Sequence, residues 1–133
     1  MRRIRVIPVL LLHRGGLYKT VKFNKPNYVG DPINAVKIFN EKEIDEIVIL
    51  DIDASRESRG PNFEQIAELT GEAFIPLAYG GGITDLEQIK KLFYIGVEKV
   101  ILNHSAFNQQ ALELLKEPDA RALSISTIAV MVL

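Results

Sequence analysis

The feature that most limits what this chain can fold into is the apolar run Ile47-Val48-Ile49-Leu50. It is closed by Asp51 and echoed 52 residues later by Lys99-Val100-Ile101-Leu102-Asn103. A near-continuous aliphatic run bounded by a short polar residue reads as a strand of a parallel sheet buried on both faces. Its return after two strand-helix units suits a sheet built by duplication.

The rest of the chain supplies the units between. Arg5 to Leu12 is expected to form the first strand, and Lys19 to Phe23 a short hairpin arm. Asp31-Pro32 offers an N-cap and an N1 proline for a helix turning Ile33, Val36 and Phe39 inward. After the strand Glu46 to Ile52, Asn62 and Gln65 have capping-box spacing, with Ile66 and Leu69 on the inner face. Phe74 to Tyr79 is the third strand. Thr84-Asp85-Leu86-Glu87 reads as a second capping box, opening a helix with Leu86, Ile89 and Phe93 inward that stops at Gly96. Lys99 to Leu102 is the fourth strand, Asn108 caps a last helix ending before Pro118, and Leu123 to Leu133 reads as a fifth strand.

This order predicts an α/β fold with a parallel sheet and right-handed crossovers. A whole (βα)8 TIM-type barrel takes about 250 residues. The 133 residues are therefore read as a single domain, 1–133, equal to half a barrel: four βα units plus a terminal strand. An open half of this kind would leave strand edges and the inner face uncovered, with Val6, Val48, Ile49, Leu77 and Ile101 in the strands concerned, so a homo-oligomer is expected.

Composition narrows the function. Sixteen basic and 17 acidic residues give a net charge of −1, which provides no broad positive field for nucleic acid or anionic membrane. The chain has no cysteine, which excludes disulfides and thiolate chemistry and fits a cytoplasmic protein. No apolar run approaches the roughly 20 residues of a membrane span, and no signal peptide is read. No histidine and carboxylate set has metal-ligand spacing, and no cofactor is expected.

In parallel α/β folds, chemistry gathers where strands end. Gly80-Gly81-Gly82 follows the third strand and precedes a capped helix, so it is either a phosphate cradle or a plain tight turn. Asp51 is either an active-site acid at the mouth of the sheet or a local cap. Asp53 and Ser55 are read as loop hydrogen-bonders; His104 is an acid, a phosphate contact or, as a lone exposed histidine more often is, neither, and His13 is weaker still. At the opposite strand ends, Arg5, Glu46 and Lys99 form either an ion-pair plug or a gate.

Taken together, Arg5-Val6-Ile7-Pro8, Gly30-Asp31-Pro32, Leu50-Asp51-Ile52-Asp53-Ala54-Ser55, Gly80-Gly81-Gly82-Ile83 and Val97 to Asn103 resemble HisF, the cyclase subunit family of imidazole glycerol phosphate synthase. The resemblance runs from about Arg3 to Leu115. It implies a (βα)8 barrel that takes ammonia from a HisH-like glutaminase along its axis and adds it to a phosphorylated ribulosyl formimino nucleotide, a lyase or amidotransferase-type reaction of histidine biosynthesis. It further implies phosphate contacts at Gly81, Gly82, Asn103 and His104, where threonine is usual at the last position. Lys19 and Asp51 match the active-site mouth, and Arg5, Glu46 and Lys99 match the ammonia gate.

The pattern breaks at the catalytic acids. Leu11 occupies the position of the first, and no acid occurs between Arg121 and Leu133, where the second would lie. Leucine cannot exchange a proton, so this chain alone is expected to be inactive. Val9-Leu10-Leu11-Leu12 and Lys19 to Phe23 resemble a HisF-like subgroup tied to amidation of surface-polysaccharide sugars. Two hypotheses stand. One is an ammonia-relaying synthase subunit, a diverged paralogue; the other is an inactive half-barrel that binds phosphate and self-associates.

Overall fold

The computed structural model describes residues 4–21, 24–54, 57, 59–103 and 128–131, with main chain alone for 19–21, 24–29, 103 and 128–131. In chain order the elements are β1 (Val9–His13), β2 (Gly16–Val21), β3 (Asn24–Gly30), α1 (Pro32–Asn40), β4 (Ile47–Asp51), α2 (Phe63–Glu72), β5 (Leu77–Gly80), α3 (Leu86–Tyr94), β6 (Lys99–Asn103) and β7 (Ile128–Met131). They form one sheet in the order β3-β2-β1-β4-β5-β6-β7. β1, β4, β5, β6 and β7 run parallel, and β2 and β3 form an antiparallel arm on β1. The hairpin arm is therefore two full strands, longer than the short piece expected. It turns on Arg14 and Gly15, both at positive φ (50° and 79°), as a two-residue turn between twisted strands requires.

The repeat survives intact, since β4 and β6 are five-residue strands starting 52 residues apart. Two strands start several residues later than the sequence suggested, each just after a proline, which has no N–H to donate. β1 begins after Pro8, and the Val6 N–H goes to the Asp45 carboxylate at 2.7 Å. β5 begins after Pro76, and the Phe74 N–H goes to Asn40 Oδ1 at 2.9 Å. The helix expected from Asn108 lies outside the described residues.

The caps follow local chemistry, with two corrections. Asp31 caps α1 by accepting from the Ile33 N–H at 3.4 Å, with Pro32 in the first turn. Asn62 accepts from the Gln65 N–H at 3.2 Å, but Gln65 does not return the bond. Its Nε2 donates to the Gly15 carbonyl at 2.9 Å and ties the hairpin turn to α2. The cap of α3 is Asp85, not Thr84. Asp85 is extended, stands three residues before Gln88 and accepts its N–H at 2.9 Å, while Gln88 Oε1 accepts from the Thr84 N–H at 2.6 Å. A carboxylate in that place also complements the positive end of the helix.

Strand alternation decides what is core. Leu12, Ile47, Ile49, Leu77, Tyr79, Val100 and Leu102 pack in one cluster with Val36, Ile66, Leu69, Ile89 and Leu92 from the helices. Leu92 is fully buried, whereas Leu86 and Phe93 sit at the cluster's margin. The intervening residues Val9, Leu11, Val48, Leu50, Ala78 and Ile101 lie on the other face of the sheet, where Val9 is 53% exposed. So of the strand residues named from sequence, Ile49 and Leu77 belong to the helix-facing core, and Val48 and Ile101 to the other face.

Candidate active-site mouth and gate

Asp51 ends β4, and its carboxylate is fully engaged. It accepts from the N–H groups of Asp53 (3.0 Å) and Ala54 (3.2 Å) and from both terminal nitrogens of Arg59 (3.0 and 3.1 Å). A two-pronged carboxylate-guanidinium pair of this kind fixes geometry as well as charge. The hydrogen bonds to Asp51 hold the Arg59 guanidinium above even its usual basicity, with a second contribution from Glu57, which accepts from Nε at 2.7 Å. Arg59 was not singled out from sequence. Arg56 is a near neighbour of the same type, and nothing in the spacing chooses between them.

The glycine turn sits beneath this loop. Gly81 and Gly82 have φ values of +131° and +70°. A Cβ on Gly81 would lie 2.6 Å from the Asp51 carbonyl oxygen, and one on Gly82 would lie 2.5 Å from that of Arg59. Close packing and left-handed backbone therefore each demand glycine here, whether or not an anion binds. Tyr79, buried in the core, donates its hydroxyl to the Gly81 carbonyl at 2.9 Å. Burial, and next the Asp51 charge, push that phenol above its ordinary range. Asn103 closes β6 beside this turn, since Gly80 and Ile101 are register partners. The side chains of Lys19 and Asn103, and all of His104, lie outside the described residues.

β1 contributes a pair the sequence reading undervalued. His13 ends the strand, and its Nδ1 lies 2.6 Å from Asp53 Oδ2, an oxygen that also accepts from the Arg14 N–H at 3.1 Å. The Tyr18 ring meets His13 edge-on at 4.7 Å. Leu11 lies one alternation earlier on the same face, in register with Leu50.

At the opposite strand ends, Arg5, Glu46 and Lys99 come together. Glu46 is 4% exposed, and its Oε2 takes Lys99 Nζ at 3.2 Å and Arg5 Nη2 at 3.5 Å. Oε1 is buried and, among the described residues, makes no hydrogen bond. Two cations thus share one oxygen of a buried carboxylate. Among the described residues no three His, Asp or Glu side chains converge as metal ligands, and no helix is long and apolar enough to cross a membrane.

Parallel strands alternating with helices, a hairpin arm on the first strand, and polar residues gathered at both ends of the strands define part of a (βα)8-type barrel. A family model described as histidine biosynthesis protein matches residues 5–128. The chain belongs to that family, as the N-terminal half of a HisF-type barrel. It is 62% identical over 106 residues to a Pseudomonas aeruginosa protein provisionally named imidazole glycerol phosphate synthase subunit hisF2. That match covers 80% of this chain and 42% of the relative. A Leptospira interrogans protein provisionally named as the HisF subunit is 52% identical with the same coverage. The HisF subunit of Chlorobium phaeovibrioides is 38% identical over 81% of this chain and 43% of its own length. The chain thus spans less than half the length of these relatives.

Proposed function

We propose that this chain is the gate-bearing part of an ammonia-relaying HisF-type subunit. In this reading, ammonia released by a HisH-like glutaminase passes Arg5, Glu46 and Lys99 and reaches a phosphorylated acceptor held at the strand ends. The observation that carries the reading is Glu46, buried with Oε2 shared by two cations and Oε1 without a hydrogen bond among the described residues. A buried polar atom without a partner is costly, and a small hydrogen-bond donor such as ammonia or ammonium offsets that cost in passing. The names of the relatives, as subunits of imidazole glycerol phosphate synthase, supply the reaction type. The acceptor phosphate would rest on the Gly81-Gly82 turn and Asn103, with His104, Lys19 and Asp51 around the mouth.

Leu11 argues for a diverged paralogue rather than the histidine enzyme. Amidation of a surface-polysaccharide sugar fits a barrel that conducts ammonia to an acceptor without the first acid. Supplied with ammonium chloride and the ribulosyl formimino nucleotide, the chain is expected to fall short of an intact cyclase by at least about 10²–10⁴-fold, the usual cost of a lost general acid or base. Product formation at a rate close to that of the intact enzyme removes the paralogue reading. The relay itself is tested by combining the protein with a HisH-type glutaminase. Glu46→Gln is expected to lower glutamine-driven amination relative to amination driven by added ammonium chloride, and an unchanged ratio overturns the gate.

The exposed apolar side chains Ile4, Val6 and Val9 favour a second reading, an inactive phosphate-binding half-barrel that self-associates. Its test is the assembly state.

A further inference from the structure

We infer that His13, held by Asp53, is the proton acceptor of the strand-end mouth and stands in for the acid that Leu11 lacks. The inference rests on the ammonia reading for what the base acts upon, and on geometry alone for the base itself.

β1 places Leu11 and His13 on one face, separated by one strand repeat of about 7 Å. His13 therefore stands over the position of the missing acid, one step nearer the mouth. Its Nδ1 lies 2.6 Å from Asp53 Oδ2, although the ring N–H is not aligned well enough with that oxygen for a regular hydrogen bond. At such a separation an unprotonated Nδ1 would set its lone pair against those of the carboxylate, so the proton belongs on Nδ1 and Nε2 is left as the acceptor. Asp53 is in turn fixed, because its side chain is 4% exposed and Oδ2 also takes the Arg14 N–H. The Tyr18 edge limits rotation of the ring. The His13 side chain keeps 15% of its surface accessible. A base oriented by a buried carboxylate is the arrangement that hydrolases use to activate a nucleophile.

The step balances without a further reagent. When ammonia adds to a carbon electrophile, the nitrogen carries one proton too many. That proton moves to His13 Nε2, the N–H bonding pair stays on nitrogen, and the imidazolium later returns the proton to the leaving group or to water.

Acylation by diethyl pyrocarbonate reads Nε2 directly and involves neither ammonia nor phosphate, so this test can fail independently of the ammonia reading. The chain has two histidines, and His104→Gln leaves one signal. At pH 8, where an ordinary imidazole is deprotonated, His13 is expected to acylate severalfold faster than N-acetylhistidine, and Asp53→Asn to remove the excess. Because Asp53→Asn could also disturb the loop, the rate in the otherwise unaltered chain is decisive by itself. Acylation no faster than the free amino acid, or no change in a folded Asp53→Asn protein, overturns the dyad. Ribulose 5-phosphate, used as the probe of the mouth, is expected to slow His13 acylation at concentrations where its phosphorus resonance shows binding. Binding without slowing overturns the placement of this base at the mouth.

Discussion

At the scale of single residues, the strand-end region is held by side chains whose protons and charges are committed to neighbouring groups. Tyr79 is the clearest case, a phenol buried in the core whose proton is committed to the Gly81 carbonyl. Burial, and next the charge of Asp51, raise its pKa above the ordinary 10.0. A group whose folded value is raised contributes stability that is complete below the unfolded value and is lost as pH rises through the folded one. In the folded chain Tyr79 keeps its proton above pH 10 while the unfolded chain releases it, so stability should fall there by up to about 1.4 kcal/mol per pH unit. Urea unfolding at a series of alkaline pH values is expected to show this limb, and Tyr79→Phe to flatten it. The tyrosinate absorbance lost in Tyr79→Phe should belong to a phenol that ionises above the ordinary 10.0. An unaltered limb in Tyr79→Phe would assign the loss to another group.

At the scale of elements, the decisive unit is the loop after β4 folded down on the turn after β5. Gly82 has φ +70°, and a Cβ there meets the Arg59 carbonyl and the Ala54 side chain at 2.5 and 2.8 Å. Gly82→Ala therefore adds left-handed strain, roughly 1–3 kcal/mol, to a backbone clash. It is expected to lower the urea midpoint with no phosphate present. Retained stability together with lost phosphate binding would instead make the turn a dedicated cradle. The same contact explains what could be read from sequence. Asp31, Asn62 and the β4-β6 repeat are local signals, because a cap or a strand period is written within a few residues. The Arg59–Asp51 pair and the His13–Asp53 pair depend on how a loop closes across strands, which no local period encodes. Register also separates the two sheet faces, so Ile49 and Val48 could be told apart only once their neighbours were known.

At the scale of the whole molecule, the balance lies between the two faces of the sheet. One face is covered by α1, α2 and α3 over a continuous core. On the other, and in the segment leading to it, Val9 is 53% exposed, Val6 49% and Ile4 85%, while Val48 and Ile101 are half-buried. Fully burying one such aliphatic side chain is worth about 1.5–3 kcal/mol. A domain's net stability is only about 5–15 kcal/mol. Several of these groups gathered on one surface therefore give a second protein surface a large reason to cover them. Among the described residues β3 and β7 are the outermost strands, and a strand edge presents unpaired N–H and C=O groups. We expect the 133-residue chain to sediment as a dimer or larger species at micromolar concentration. Val9→Lys, at a position more than half exposed, should cost the isolated subunit little while setting a charge against any partner on this face. Sedimentation of that variant is expected to shift toward the monomer with an unchanged circular dichroism spectrum. A wild-type chain that sediments as a monomer and unfolds cooperatively at the same concentration would overturn self-association.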